Sequence, residues 1–176
     1  DPGKSERLAR ELTDELERPV TAAPSFADAL TGADIVCATT HSAEPVVRRD
    51  WLSPGVHVNS VGFNTAGREV DAETVLDAIV VVESRAAALA PVPAGANELL
   101  WPIRDGLIEP AHVYAELGEL VAGTRAGRSA RRGDGPVGQQ AITLYKSVGV
   151  AAEDLAAAML VVAAARAGGV GAVVEV

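Results

Sequence analysis

Four segments of the chain place small, hydroxyl, glycine or charged residues at the end of a short apolar run. Thr39-Thr40-His41 follows "ADIVCA", Ser60-Val61-Gly62-Phe63-Asn64 follows "VHVN", Glu83-Ser84-Arg85 follows "IVVV", and Lys146-Ser147-Val148-Gly149 follows "AITLY". Apolar runs of that length bounded by turn residues mark buried parallel strands, and ligands in an open parallel α/β sheet bind at the carboxyl ends of the strands. Small residues there let a ribose or a nicotinamide approach the backbone, while hydroxyls and free N–H groups supply hydrogen bonds. The first two ends suit a dinucleotide; the plainer alternative is that threonine and glycine simply end strands. The G-x-G-x-x-G turn that separates these readings is absent from the sequence, since "GTRAG" (123–127) and "GGVGAVV" (168–174) neither follow a strand nor open a helix.

Other chemistries find less support. His41, His57 and His112 lie in three separate segments without ligand spacing, so no metal site is expected. Cys37 sits inside an apolar run and is expected to be a buried, inert thiol. No order of serine, histidine and acid defines a nucleophilic triad.

The composition narrows the class. Of 176 residues, 48% are hydrophobic and only 3% aromatic, which describes an Ala/Val/Leu-built α/β core. A net charge of -9 repels nucleic acid and anionic membrane, so neither is expected as a partner. The single cysteine precludes an intramolecular disulfide and fits a reducing, cytoplasmic compartment. No apolar run reaches the ~20 residues of a membrane span, and "DPGKSERLAREL" is not a secretory signal.

The elements that must position these ends follow from periodicity. Leu8, Leu12 and Leu16 recur every four residues and predict a helix over 4–17. "PVTAAP" (19–24) reads as a strand, with Ser25 capping the helix after it. Strands are predicted over 33–40, 56–62, 79–84 and 141–148, and helices over 46–52 and 71–78, the latter capped by Asp71. Strands and helices alternating through short loops make a parallel sheet. Residues 91–108, rich in proline and glycine, read as an irregular connection, and 112–123 as a helix stopped by Gly123. Residues 124–140 carry four arginines among glycines and read as a mobile surface loop, a basic phosphate grip being the alternative. The helix over 149–167 is apolar nearly all round and needs cover on most sides. The chain opens on a turn leading straight into a helix, so further chain is expected before Asp1.

"ADIVCATTHSAEPVV", "WLSPGVHVNSVGFNTAGREVD", "AELGELVAG" and "ITLYKSVGVAAEDLAAA", in that order, closely resemble the ornithine cyclodeaminase/mu-crystallin family. The resemblance runs from about residue 1 to about residue 167. It implies an α/β fold: a partial Rossmann-type parallel sheet with flanking helices and a C-terminal helix. Residues 1–140 would be a truncated dinucleotide-binding domain, and 141–176 a strand and helix returning towards a substrate domain that precedes Asp1. It further implies NAD or NADP as cofactor, a small amino or imino acid as substrate, and a homodimeric parent. Without the glycine-rich turn, the isolated chain is expected to bind dinucleotide weakly or not at all. Leu155, Met159 and Val162 are expected to be partly uncovered.

Residue by residue, the resemblance makes Thr40 a cofactor-contacting threonine and lays Val61, Gly62, Phe63 and Asn64 along the nicotinamide. Arg68 stands where cyclodeaminases carry a cofactor-contacting lysine, and Ser147 lies on the nicotinamide side with Val148 facing substrate. Lys146 receives no contact from it. Asn64 occupies the position of the catalytic aspartate of ornithine cyclodeaminases. An amide accepts no proton at neutral pH, whereas a carboxylate can act as a general base. The expected activity is therefore NAD(P)-dependent reduction of a cyclic imino acid or amino-acid dehydrogenation. The alternatives are ornithine cyclodeamination (L-ornithine to L-proline plus ammonia) and a non-catalytic ligand-binding remnant of the mu-crystallin type.

Overall fold

The structure is a computed structural model that describes residues 2–128 and 138–174. Five strands, β1 (Ile35–Ala38), β2 (His57–Ser60), β3 (Ile79–Val82), β4 (Val113–Glu116) and β5 (Thr143–Lys146), form one sheet in the order β1-β2-β5-β3-β4. Every pairing is parallel, so all strand ends that carry candidate residues lie along one edge of the sheet.

Strand periodicity separates two faces. Val36 and Ala38, Val58 and Ser60, Val80 and Val82, Leu144 and Lys146 all point to the buried face. That face shares one core with Leu30 of α2 (Phe26–Leu30), Val75 of α3 (Ala72–Asp77), Ala88 of α4 (Arg85–Ala88) and Leu99 of α5 (Asn97–Arg104). The short helices start where their caps dictate. Ser25 Oγ accepts from Asp28 N at 3.1 Å, Asp71 Oδ1 from Thr74 N at 2.9 Å, and Ser84 Oγ from Ala87 N at 3.4 Å.

Several expectations change. Residues 19–24 form no strand, because the Val20 N–H is taken by the Thr13 hydroxyl of α1 (Pro2–Leu16) at 2.9 Å. Within 46–52 only Arg49–Trp51 turns, as a 3-10 helix, since the Val46 and Val47 amides bond to Glu69 O instead. The connection after residue 90 contains α5, in which Leu99 and Pro102 are both buried. Residues 112–123 divide into β4 and α6 (Leu117–Val121): Val113 and Ala115 alternate into the core, and a Glu116–Glu119 capping box begins the helix. Gly123 then ends it in the left-handed conformation, φ 71°.

The opposite face of the sheet borders a groove of about 740 Å³ whose lining includes Ile35, Val81, Tyr145, Leu117 and Leu120. Cys37 belongs to this side and is exposed, which corrects the buried thiol expected from its apolar run; strand parity, rather than neighbouring hydrophobicity, decides its side. A directed chain of hydrogen bonds crosses the same face. Arg128 donates to Thr143 Oγ1 at 2.9 Å, Thr143 contacts His57 Nδ1 at 2.8 Å, and His57 Nε2 contacts Asn59 Oδ1 at 3.3 Å. A neutral ring carrying its hydrogen on Nε2 satisfies every member, and burial, reinforced by the Arg128 charge against the opposing Asn59 bond, lowers the His57 pKa from 6.5. The sign follows from linkage: the unfolded state takes up the proton first, so stability is intact above the unfolded value and falls as pH drops through it. Urea midpoints measured at about pH 7.5 and about pH 5.5 should fall for the wild type, and fall less for His57→Gln.

Of the loop over 124–140, residues 129–137 lie outside the described residues, so its reading as a loop or phosphate grip is not addressed there. Arg128 itself is a staple, bonded to the carbonyls of Gly55, Gln139 and Ala141. The chain closes with α7 (Ala151–Gly168), 18 residues long with none buried. As expected, Leu155, Met159 and Val162 stand 63%, 65% and 47% exposed. Among the described residues no helix is long and apolar enough to cross a membrane.

Candidate functional site

At the carboxyl edge of the sheet three charged side chains are buried together: Lys146, Glu69 and Glu98. Lys146 ends β5 on the core-facing side, where its Nζ donates to Gly62 O at 2.7 Å and Ser60 Oγ at 3.2 Å and pairs with Glu98 Oε2 at 3.5 Å. Those contacts use the three donors of an ammonium. Glu69 returns beneath the strand ends from the loop after β2. Its Oε1 accepts from Thr40 N, and its Oε2 from Gly62 N at 2.8 Å and Ser60 Oγ at 3.0 Å. Glu98 completes the set by accepting the Glu69 amide on Oε1 at 2.9 Å. A buried polar group without a partner costs free energy, so a closed network is the condition for such burial.

The candidate residues arrange themselves around this network. Gly62 is buried with its N–H and C=O both held, and an added Cβ would collide with the Glu69 carboxyl and Thr40 O. Val61 and Phe63 on either side are 47% and 42% exposed. The Thr40 hydroxyl accepts from Ser42 N at 3.1 Å, turning the chain away at the end of β1. Asn64 bonds backbone at both ends of its amide, donating to His41 O at 2.8 Å and accepting from Ala66 N at 2.8 Å. Neighbouring Asn97, at the start of α5, donates to Asn64 O at 2.9 Å and Gly67 O at 3.0 Å, which fixes the loop that carries Asn64. Arg68 leaves that loop to stack over Trp101, 5.6 Å from the ring centroid.

Ser147 and Val148 are tied down separately. One oxygen of Glu83, at the end of β3, accepts from both the Ser147 hydroxyl at 3.0 Å and the Val148 amide at 2.7 Å. Ser147 in turn accepts from Gly149 N at 3.1 Å, and Gly149 makes the turn with φ 79°. The second Glu83 oxygen is buried without a partner. Burial and the Glu83 charge both push the adjacent Tyr145 hydroxyl above its ordinary pKa of 10.0. Thr40, the 61–64 segment and the 147–149 turn thus come together on one edge, with β2 directly paired to β1 and to β5.

Sequence reasoning left Lys146 without a role and passed over Glu69 and Glu98. One signal was available. Ile142, Leu144 and Lys146 alternate along β5, so parity already places a charge at a core position, and such a charge demands partners.

Known proteins resemble this chain along nearly its whole length. Over 154 residues the chain is 34% identical to the ketimine reductase mu-crystallin of Rattus norvegicus, covering 87% of this chain and 42% of that protein. It is 32% identical over 174 residues to a Delta(1)-pyrroline-2-carboxylate reductase of Bacillus cereus, covering 98% of this chain and 50% of the other. Among solved structures, the Thermococcus litoralis Delta(1)-pyrroline-2-carboxylate reductase in complex with NADH and L-proline superposes with a TM-score of 0.85 at 34% identity, over 99% of this chain and 50% of that one. The chain thus spans about half the length of the curated relatives it matches. Residues 1–169 match the family model as well, and the chain belongs to the ornithine cyclodeaminase/mu-crystallin family.

Proposed function

We propose that the protein carrying this chain is an NAD(P)-dependent reductase of cyclic imino acids. The observation that carries the reading is the convergence of Thr40, Val61–Asn64 and Ser147–Val148 on one carboxyl edge, in a chain whose relatives are named as ketimine and pyrroline-2-carboxylate reductases. The residues present suit the nicotinamide end of a dinucleotide: Val61 and Phe63 offer apolar walls, and Glu83 fixes the Ser147–Val148 turn beside them. For the pyrophosphate, the described residues contain no glycine-rich turn opening a helix.

When bound, such a cofactor supplies the hydride. The chain's own part is to hold flat partners against a fixed backbone, with the exposed Val61 and Phe63 as the apolar surface such partners would cover. Val148, half-buried against the core, would bound the substrate. In the same reading Arg68 contributes a cation near the cofactor, residues 141–176 lead back towards a substrate domain, and the enzyme works as a cytoplasmic homodimer. Asn64 serves as an organiser of its loop rather than as a base, because both ends of its amide are already bonded to backbone.

Assays on the complete protein discriminate the chemistries. Oxidation of NADH or NADPH with Delta(1)-pyrroline-2-carboxylate should proceed at a turnover on the order of 10 per second. Ammonia release from L-ornithine should be slower by about a hundredfold or more, the deficit of a site without its general base. Ornithine turnover equal to imine reduction would overturn the reading, and turnover of neither substrate would favour a ligand-binding role.

A further inference from the structure

We infer that Glu69 is a positioning residue for hydride transfer, acting with Lys146 to set the spacing of the β1 and β2 ends. The inference rests on the reductase reading above. Its basis is that one carboxylate collects the Thr40 and Gly62 amides together with the Ser60 hydroxyl. Strand-end amides are ordinarily available to a ligand; these two are withdrawn to an internal anchor. Lys146 holds the next peptide unit through Gly62 O at 2.7 Å. With its N–H drawn to Glu69 and its C=O to Lys146, Gly62 has no freedom to rotate, and Val61 and Phe63 are presented outward on either side of it.

A core needs no charges for this volume, since apolar residues of similar size are as stable or more so. What the charges supply is direction. Three elements remote in sequence close one network at Gly62: the loop at Glu69 takes its N–H, β5 at Lys146 takes its C=O, and α5 at Glu98 braces both by bonding the Glu69 amide and pairing with Lys146. A displacement of about 1 Å in such a wall costs on the order of 100-fold in rate without a matching loss of binding.

Glu69→Gln tests this, because its amide sets an N–H against an N–H of Thr40 or Gly62. Amide hydrogen exchange of the 176-residue chain should accelerate about 100-fold at whichever of Thr40 and Gly62 faces the new NH2 group, while Val58 and Leu144 stay protected. In the complete protein, single-turnover hydride transfer from NADH to Delta(1)-pyrroline-2-carboxylate should slow by about 100-fold, with the NADH dissociation constant changed less than about threefold. Equal loss of protection throughout the sheet, or an unchanged transfer rate beside a freed amide, overturns the positioning role. If Glu69→Gln does not fold, Ser60→Ala takes its place, with the same split expected at about 10-fold in rate. A wild-type protein that reduces no imino acid defeats the reductase reading, and the exchange measurement still decides whether Glu69 holds the strand ends.

Discussion

Gly62→Ala is expected to lower folding stability by about 3–5 kcal/mol, the range for breaking a buried charged network. The new methyl group would occupy the space of the Glu69 carboxyl group and of the Thr40 carbonyl. Neither is the free end of a flexible side chain: the carboxylate is bonded to Thr40, Ser60 and Gly62, and the carbonyl is backbone. Relief therefore requires either expelling Glu69, which strands its donors, or spreading β1 from β2. Gly118→Ala is the control. Gly118 lies in α6 with open space around its missing Cβ, and alanine there should be neutral or stabilising by up to about 1 kcal/mol. Urea unfolding of both variants beside the wild type checks the pair. A Gly62→Ala midpoint equal to that of Gly118→Ala would mean that the network yields without cost.

The second large effect concerns association. α7 places Leu155, Met159, Leu160, Val161 and Val162 in solvent, each at least 47% exposed. Covering a side chain of this kind stabilises by about 1.5–3 kcal/mol, so contact along even one stripe outweighs the modest cost of ordering a formed helix. The 176-residue chain should form assemblies that grow with concentration in static light scattering. Leu155→Glu, Met159→Lys and Val162→Lys combined should return it to a monodisperse species. A monodisperse wild-type monomer at high concentration would mean that these side chains find cover within the chain.

Much of the fold was legible because its strands are nearly uninterrupted apolar runs. β1, β2, β3 and β5 each fall inside such a run, and the Ser25 and Asp71 caps were read from residue type alone. β4 was not legible. "HVYAELGELV" mixes helix formers into a strand that exists only because β3 offers it an edge, and Arg85 secures it by donating to Tyr114 O at 3.1 Å. α5 hid behind Pro102 for the converse reason, since burial of Leu99 and Pro102 overrides the propensity against it. At the site, the residues lining the edge could be named one by one, but what holds them could not. Parity along β5 marks Lys146 as a core charge, but its partners Glu69 and Glu98 lie far from it in sequence and resemble ordinary surface charges until folding closes the network.

The place of β5 in the sheet bears on how the chain is made. Among the described strands it is the last in chain order, yet it lies between β2 and β3, which share no hydrogen bonds with each other. A nascent chain that has reached residue 140 therefore holds two half-sheets separated by a slot, with an unsatisfied edge on each side. Such a slot accepts any extended segment of suitable pattern, including the equivalent segment of a neighbouring nascent chain. Lys146, the buried partner of Glu98 at the strand ends, arrives with that same segment. Translation must thus pass residue 146 before either the hydrogen-bond ladder or the buried charges can close, and a ribosome stalled in the arginine-rich stretch before β5 would display an open template for strand exchange.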